Sequence, residues 1–347
     1  DSVRVVADTG GTIDWSSLQQ IDGYVTFATD MASFSLPSLT HAGSVTYELP
    51  SSAALTLPEL LSQSGGGFAI PPGTTVSLPK LETLGNASVS FTGAGALDAP
   101  LLTNFTGSVL TLTDPAQTVS TGGLSQIDNS RFILSNATVF DQILDSDYIL
   151  TSAAIANATV LAATGSDTRL DAHWVTKIDS YADHWGANTR TISATNGGAI
   201  DLSGLTLLRG GSGTSGGLDS VRVVADTGGT VDLGSLTTVE GYTYFEALAG
   251  GILRFGDLAM TSSTNIRADG LGSTIVAESL VLDPSANVTV TDGARIELAG
   301  SLQNAMTNAD AFAMDTGILG VGGNEPAWFE VAGRDLGTHV SSGNFGM

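Results

Sequence analysis

The chain contains no cysteine, so no disulfide can staple it and no thiolate can serve as a metal ligand or nucleophile. Basic residues are scarce: 12 Lys and Arg stand against 35 Asp and Glu, for a net charge of −23. Phosphate backbones and anionic lipids are held by concentrated positive charge, so this composition argues against both nucleic acid and charge-driven membrane docking. No run of 18 apolar residues occurs, which leaves no candidate for membrane insertion in this segment. A secretory hydrophobic region is missing too, and the sequence starts at Asp1 without methionine, as expected of a mature or excised piece. Histidine and tryptophan number four each, so any place that gathers them stands out.

What is plentiful is apolar residues, at 42 %, together with 43 glycines and many Ser and Thr. That mixture suits short strands joined by tight turns rather than helices. One phrase organises it: apolar, spacer, apolar, corner residue, spacer, leucine. It reads Ile13-Asp14-Trp15-Ser16-Ser17-Leu18, then Phe34-Ser35-Leu36-Pro37-Ser38-Leu39, and returns from Leu55, Val76 and Leu97. The starting positions 13, 34, 55, 76 and 97 are 21 apart. A strict short period means a solenoid, in which each repeat is one coil stacked on the next. Because side chains alternate along a strand, Ile13, Phe34, Leu55 and Val76 are expected to form one buried column. Pro37, Pro58, Pro79 and Pro100 recur at the same interval and mark a corner, since proline cannot donate to a strand ladder.

The period falls within the range of helical leucine-rich repeats, but their strand-end asparagine is missing and the spacers are poor helix formers. The expected fold is therefore all-β, a right-handed parallel β-helix (β-solenoid) with ~21-residue coils. It is expected to occupy 1–302, with an irregular insertion at about 145–190 where the phrase is lost. A C-terminal cap or assembly segment over 303–347 is expected to include a short helix at 309–314. Asp219 to Thr230 repeats Asp1 to Thr12 residue for residue, so the block 1–218 is partly duplicated from 219. The Gly/Ser run 210–217 reads either as a linker or, preferably, as a long loop bulging from one coil.

The phrases Gly-Gly-Thr-Ile-Asp-Trp-Ser-Ser-Leu at 10–18, Gly-Gly-Ala-Ile-Asp-Leu-Ser-Gly-Leu at 197–205 and Gly-Gly-Thr-Val-Asp-Leu-Gly-Ser-Leu at 228–236 resemble those of the repetitive secreted β-solenoid, adhesin-like surface proteins of planctomycetes and cyanobacteria. Tyr244–Ala247 and Trp328–Gly337 are similar to phrases of the same group. The resemblance implies an extracellular or cell-surface structural or adhesive role, with self-association or other surface proteins as partners. It brings no catalytic residues, and an enzymatic activity is not expected.

The chemically dense stretch is 167–190. There Asp171, His173, Trp174, Asp183, His184 and Trp185 combine aromatic platforms with carboxylates, a pattern that holds sugars. The alternative function is a carbohydrate-binding module, and less readily a polysaccharide-active enzyme, using the 167–190 loop, with glycans as a further class of partner. The competing reading is a loop whose tryptophans pack on the solenoid flank. No cofactor is expected. The acidic turns at Asp8 and Asp226 leave room for weak calcium binding, but no EF-hand loop or calcium-repeat motif is present. Asp14, Asp201 and Asp232 alternate with inward residues and are expected to face solvent. Asn86, Asn104, Asn136, Asn157 and Asn287 head N-glycosylation triplets, which matter only in a glycosylating organism.

Overall fold

A computed structural model describes residues 2–7, 14–180, 188–211, 219–260, 264–304, 312–315 and 318–321. The chain divides into two compact units, Asp1–Asp145 and Ser146–Met347. Both are β-solenoids in which equivalent strands of successive coils pair in parallel. Each coil lays down up to three strands, which build a first, a second and a third face in chain order.

In the first unit, the first face takes Ser2–Ala7, Gln20–Thr29, His41–Glu48, Gly66–Ile70, Ser88–Phe91, Val109–Leu112 and Arg131–Ser135, each in parallel register with the next. On the second face, Phe34 pairs with Leu55, Leu55 with Val76, Val76 with Leu97 and Leu97 with Val119. These offsets of 21, 21, 21 and 22 residues put the recurring phrase in lateral register, one coil directly over another. Phe34, Leu55, Val76 and Leu97 are buried as one column, while Ile13 lies outside the described residues.

The phrase turns the corner by a repeated hydrogen bond. The N–H of Leu39 donates to the Leu36 carbonyl at 3.3 Å, Leu60 to Leu57 at 3.3 Å and Leu81 to Leu78 at 3.1 Å. All six leucines are buried, so the corner is sealed by the side chains that define it. Burying one leucine removes it from water at a gain of roughly 1.5–3 kcal/mol, and each of these three coils contributes a pair.

The second unit has a first, a second and a third face of its own, on which Thr159–Thr164, Arg169–Asp171 and Asp147–Ile149 respectively lead ladders that continue coil by coil. The first face carries the inward column Ile192, Val223, Phe245, Ile266 and Val288. Between the first and second faces lies a glycine pair whose two members do different work. Gly228 has φ +75°, a left-handed conformation cheap only for glycine. Gly229 lies so close to the preceding coil that a Cβ would stand 2.1 Å from the Ala194 carbonyl oxygen. Gly197-Gly198 and Gly250-Gly251 repeat the arrangement. The Gly-Gly that opens the phrases at 197 and 228 is thus a turn requirement set by stacking.

Two sequence expectations change. The stretch 145–180 is no irregular insertion: Tyr148 pairs with Ile178 and Leu170 with Ile200, inside the regular ladders. Here the offset is 30 residues, because extra residues are housed in corners and leave the strands aligned. Of the run 210–217 only Gly210 and Gly211 lie among the described residues, and the flanking strands stay in register with the next coil, Arg209 pairing with Glu240 and Ser220 with Tyr242. Gly211 N–H donates to the Asp219 carbonyl at 3.0 Å. Finally, Phe312–Asp315 is a strand paired with Asn287–Thr291, where a helix was expected. An open ladder edge outweighs the local helix preference of an alanine-rich stretch.

The duplicated sequence shows how much neighbours matter. Ser220–Asp226 lies between two strands and Val221 is 0 % exposed, whereas the identical Ser2–Ala7 pairs on one side among the described residues and Val3 is 58 % exposed.

Candidate functional site

The dense stretch begins on the second face of the second unit. Leu170 points inward from Arg169–Asp171, Ala172 and Val175 are buried, and residues 173–174 form the turn between them. The Val175 N–H donates to the Ala172 carbonyl at 3.0 Å, as Leu205 does to Leu202 and Leu236 to Leu233, both at 2.9 Å. Leu170-Asp171-Ala172-His173-Trp174-Val175 is therefore the corner phrase itself, with valine in place of the final leucine.

Asp171 plays the part that the other corner aspartates play. Its Oδ1 accepts the His173 N–H at 3.1 Å. Asp14 accepts from Ser16 at 2.9 Å, Asp201 from Ser203 at 2.9 Å and Asp232 from Gly234 at 3.0 Å. A short carboxylate that caps the turn two residues on competes well with any alternative local pairing. At Asp14 the Ser16 hydroxyl, followed by the Ser16 N–H, holds the carboxyl below its ordinary range. Asp14 is exposed and Asp201 and Asp232 are partly so, as their alternation requires.

On this corner His173 and Trp174 replace small residues. The Asp171 Oδ1 lies 2.5 Å from His173 Nδ1, and the rings of His173 and Trp174 are 4.9 Å apart at 41°. Trp174 is 55 % exposed. In the next coil the equivalent position is Gly204, which packs so tightly that a Cβ would come within 1.9 Å of the His173 carbonyl oxygen. The structure thus brings Asp171, His173 and Trp174 together on one accessible corner. Asp183, His184 and Trp185 lie outside the described residues.

Sequence reasoning missed a second feature, at the corner between the third and first faces. There long connections separate Ile149 from Thr159, Asp179 from Thr189 and Arg209 from Ser220 in three successive coils. Arg190, at the end of the dense stretch, points inward and is 0 % exposed. Its Nη1 lies 3.4 Å from Asp219 Oδ2 and donates to Ser180 Oγ at 3.3 Å, and Asp219 also accepts the Asn188 N–H at 3.1 Å. These groups tie together the stems of the second and third long connections. The alternation of Arg190 with Ile192 and Ala194 on a strand would have signalled its inward direction.

Outside the same corner runs a charge ladder. Arg209 contacts Asp179 at 3.0 Å and Glu240 at 2.6 Å, one coil to either side, and Lys177 lies 3.4 Å from Asp179. Glu240, the nearest partner, raises the Arg209 pKa further, so this guanidinium is permanently charged. Among the described residues, no three His, Asp or Glu side chains gather as a metal ion would require. No helix among them is long and apolar enough to cross a membrane. Neither the scan against protein-family models nor the searches of curated proteins and solved structures found a match.

Proposed function

We propose that this chain is an extracellular structural or adhesive β-solenoid module, of the kind its repeat phrases resemble. The observation that carries the reading is the parallel stacking of coil on coil within each unit. Apolar columns run inside, and ordered columns of small polar residues run outside, as in Ser35, Thr56, Ser77, Asp98 and Ser120. Such a surface repeats one chemistry every ~4.8 Å, which suits many weak identical contacts with a surface or with another such module. Stacked coils also resist local opening, since each is held by two neighbours. Negative-stain electron microscopy of the purified chain, with a cell- or matrix-adhesion assay, tests this. Filaments or retention on surfaces are expected; dispersed particles that adhere to nothing refute it.

A second reading, glycan binding at the Asp171–His173–Trp174 corner, is favoured by one observation: Trp174 presents its indole to solvent beside a glycine-flattened coil. An aromatic face with adjacent carboxylate and imidazole groups matches the apolar and hydroxyl faces of a sugar. A glycan array comparing the native chain with Trp174→Ala/Trp185→Ala decides it, with binding expected to vanish in the double variant. Undiminished binding by the variant removes this corner from consideration.

A further inference from the structure

The outer side of the first face in the second unit carries a polar furrow unrelated to the Trp174 corner. Parallel register places Thr191 beside Arg222, Arg222 beside Tyr244, Tyr244 beside Asn265 and Asn265 beside Asn287. This row crosses five strands at right angles to their direction. Two shallow depressions lie along it: one lined by Thr191, Arg222, Tyr244 and Glu246, the other by Tyr244, Glu246, Asn265 and Asn287. Tyr244 and Glu246 are common to both, so they form the saddle between them.

The furrow differs electrically from the rest of a chain with net charge −23. Arg222 is neutralised by Glu246, its Nε donating at 2.7 Å and its Nη2 making a second bond to the same oxygen. Beside it, Arg267 pairs with Asp269 at 2.5 Å. The Thr291 hydroxyl, with the Arg267 guanidinium, holds Asp269 below the ordinary carboxylate range, so that pair stays ionised at neutral pH. Among the described residues, the side chains of Tyr244, Asn265 and Asn287 make no hydrogen bond to the protein. Their donors and acceptors are open in a row, with one aromatic ring at the centre.

We infer that this furrow binds a neutral, linear polysaccharide lying across the strands, with one sugar seated on the Tyr244 ring and its neighbours hydrogen-bonded by Asn265, Asn287 and Thr191. Spacing supports it: the row offers one polar side chain every ~4.8 Å, on the order of the length of one pyranose along an extended chain. Charge supports it too, because paired arginines leave no net positive charge to attract a uronate polymer through the surrounding negative field. Amides and a phenol give and accept hydrogen bonds in the mixed pattern that sugar hydroxyls need.

Native affinity electrophoresis through gels containing hydroxyethylcellulose, mannan or alginate tests this on the full chain. Retardation is expected in a neutral polymer and not in alginate. Tyr244→Ala is expected to weaken binding ~10-fold, equivalent to ~1.4 kcal/mol, and Tyr244→Phe to retain most of it. Because Tyr244 faces outward, circular dichroism should show both variants folded. Trp174→Ala, run in parallel, separates this furrow from the Trp174 corner. Retention in alginate alone, no retardation at all, or loss in Trp174→Ala with Tyr244→Ala unaffected overturns the assignment; the last outcome would leave the corner reading standing.

Discussion

Replacing Tyr47 by phenylalanine should make the first unit more stable. The Tyr47 ring is fully buried, stacked on Phe27 at 5.9 Å and 12° and on Phe68 at 5.2 Å and 8°, its partners in the coils before and after. Its hydroxyl is buried with no hydrogen-bond partner among the described residues. An unpaired buried polar group costs roughly 1–3 kcal/mol relative to its hydrated state in the unfolded chain. Phenylalanine keeps both stacks and removes that cost, so a gain of about 1 kcal/mol is expected in urea unfolding at neutral pH. Burial also pushes the phenol pKa well above its ordinary value of 10.0. The folded chain therefore keeps a proton that the unfolded chain gives up above pH 10.0. The stabilisation linked to that proton is complete below the unfolded value and falls as pH rises past it, by ~1.4 kcal/mol per pH unit. Phenylalanine has no such proton, so its advantage should widen in the alkaline range. Unfolding midpoints by circular dichroism, native against Tyr47→Phe at both pH regimes, make the comparison. A variant less stable than the native chain at neutral pH would show that the hydroxyl is satisfied, and the reasoning would fail.

Gly229→Ala should lower the urea midpoint by an amount corresponding to about 1–3 kcal/mol, because its Cβ meets a backbone carbonyl of the neighbouring coil. Arg190→Met should cost about 3–5 kcal/mol by leaving Asp219 buried and unpaired, and Arg190→Met/Asp219→Leu should recover most of that loss. A double variant as unstable as the single one would contradict this. Leu55→Ala should cost about 2–5 kcal/mol, as for any fully buried leucine packed on both sides. Asp201→Ala should cost about 0.5–1.5 kcal/mol for one lost turn bond, read in the same unfolding assay.

The coil-on-coil register was readable wherever coil length was constant. Phe34, Leu55, Val76 and Leu97 announce their column because equal spacing along the chain becomes adjacency in space. The same counting fails once a corner lengthens. Strand pairing is indifferent to how many residues a corner holds, so an offset of 30 hides a ladder as regular as one of 21. Leu170–Val175 was overlooked for a related reason: His173 and Trp174 look like chemistry, and Val175 breaks the leucine signature while filling the same space. The site was half legible. Composition located Asp171, His173 and Trp174, but Asp171 also serves as a turn cap, a role visible only when the four corners are compared. The Tyr244 furrow had no linear signature, since its members come from separate coils and meet only through register.

The corner spanned by Gly241 in one coil, and lying between Arg209 and Ser220 in the coil before, behaves as a natural grafting port. Its two flanking strands are clamped by neighbouring coils, so foreign sequence inserted there faces chiefly the entropy of closing a loop. That penalty grows by only ~0.6 kcal/mol for each doubling of length. Peptides or small domains carried on several successive coils would then be displayed at intervals set by the strand spacing, as cargo on a ruler.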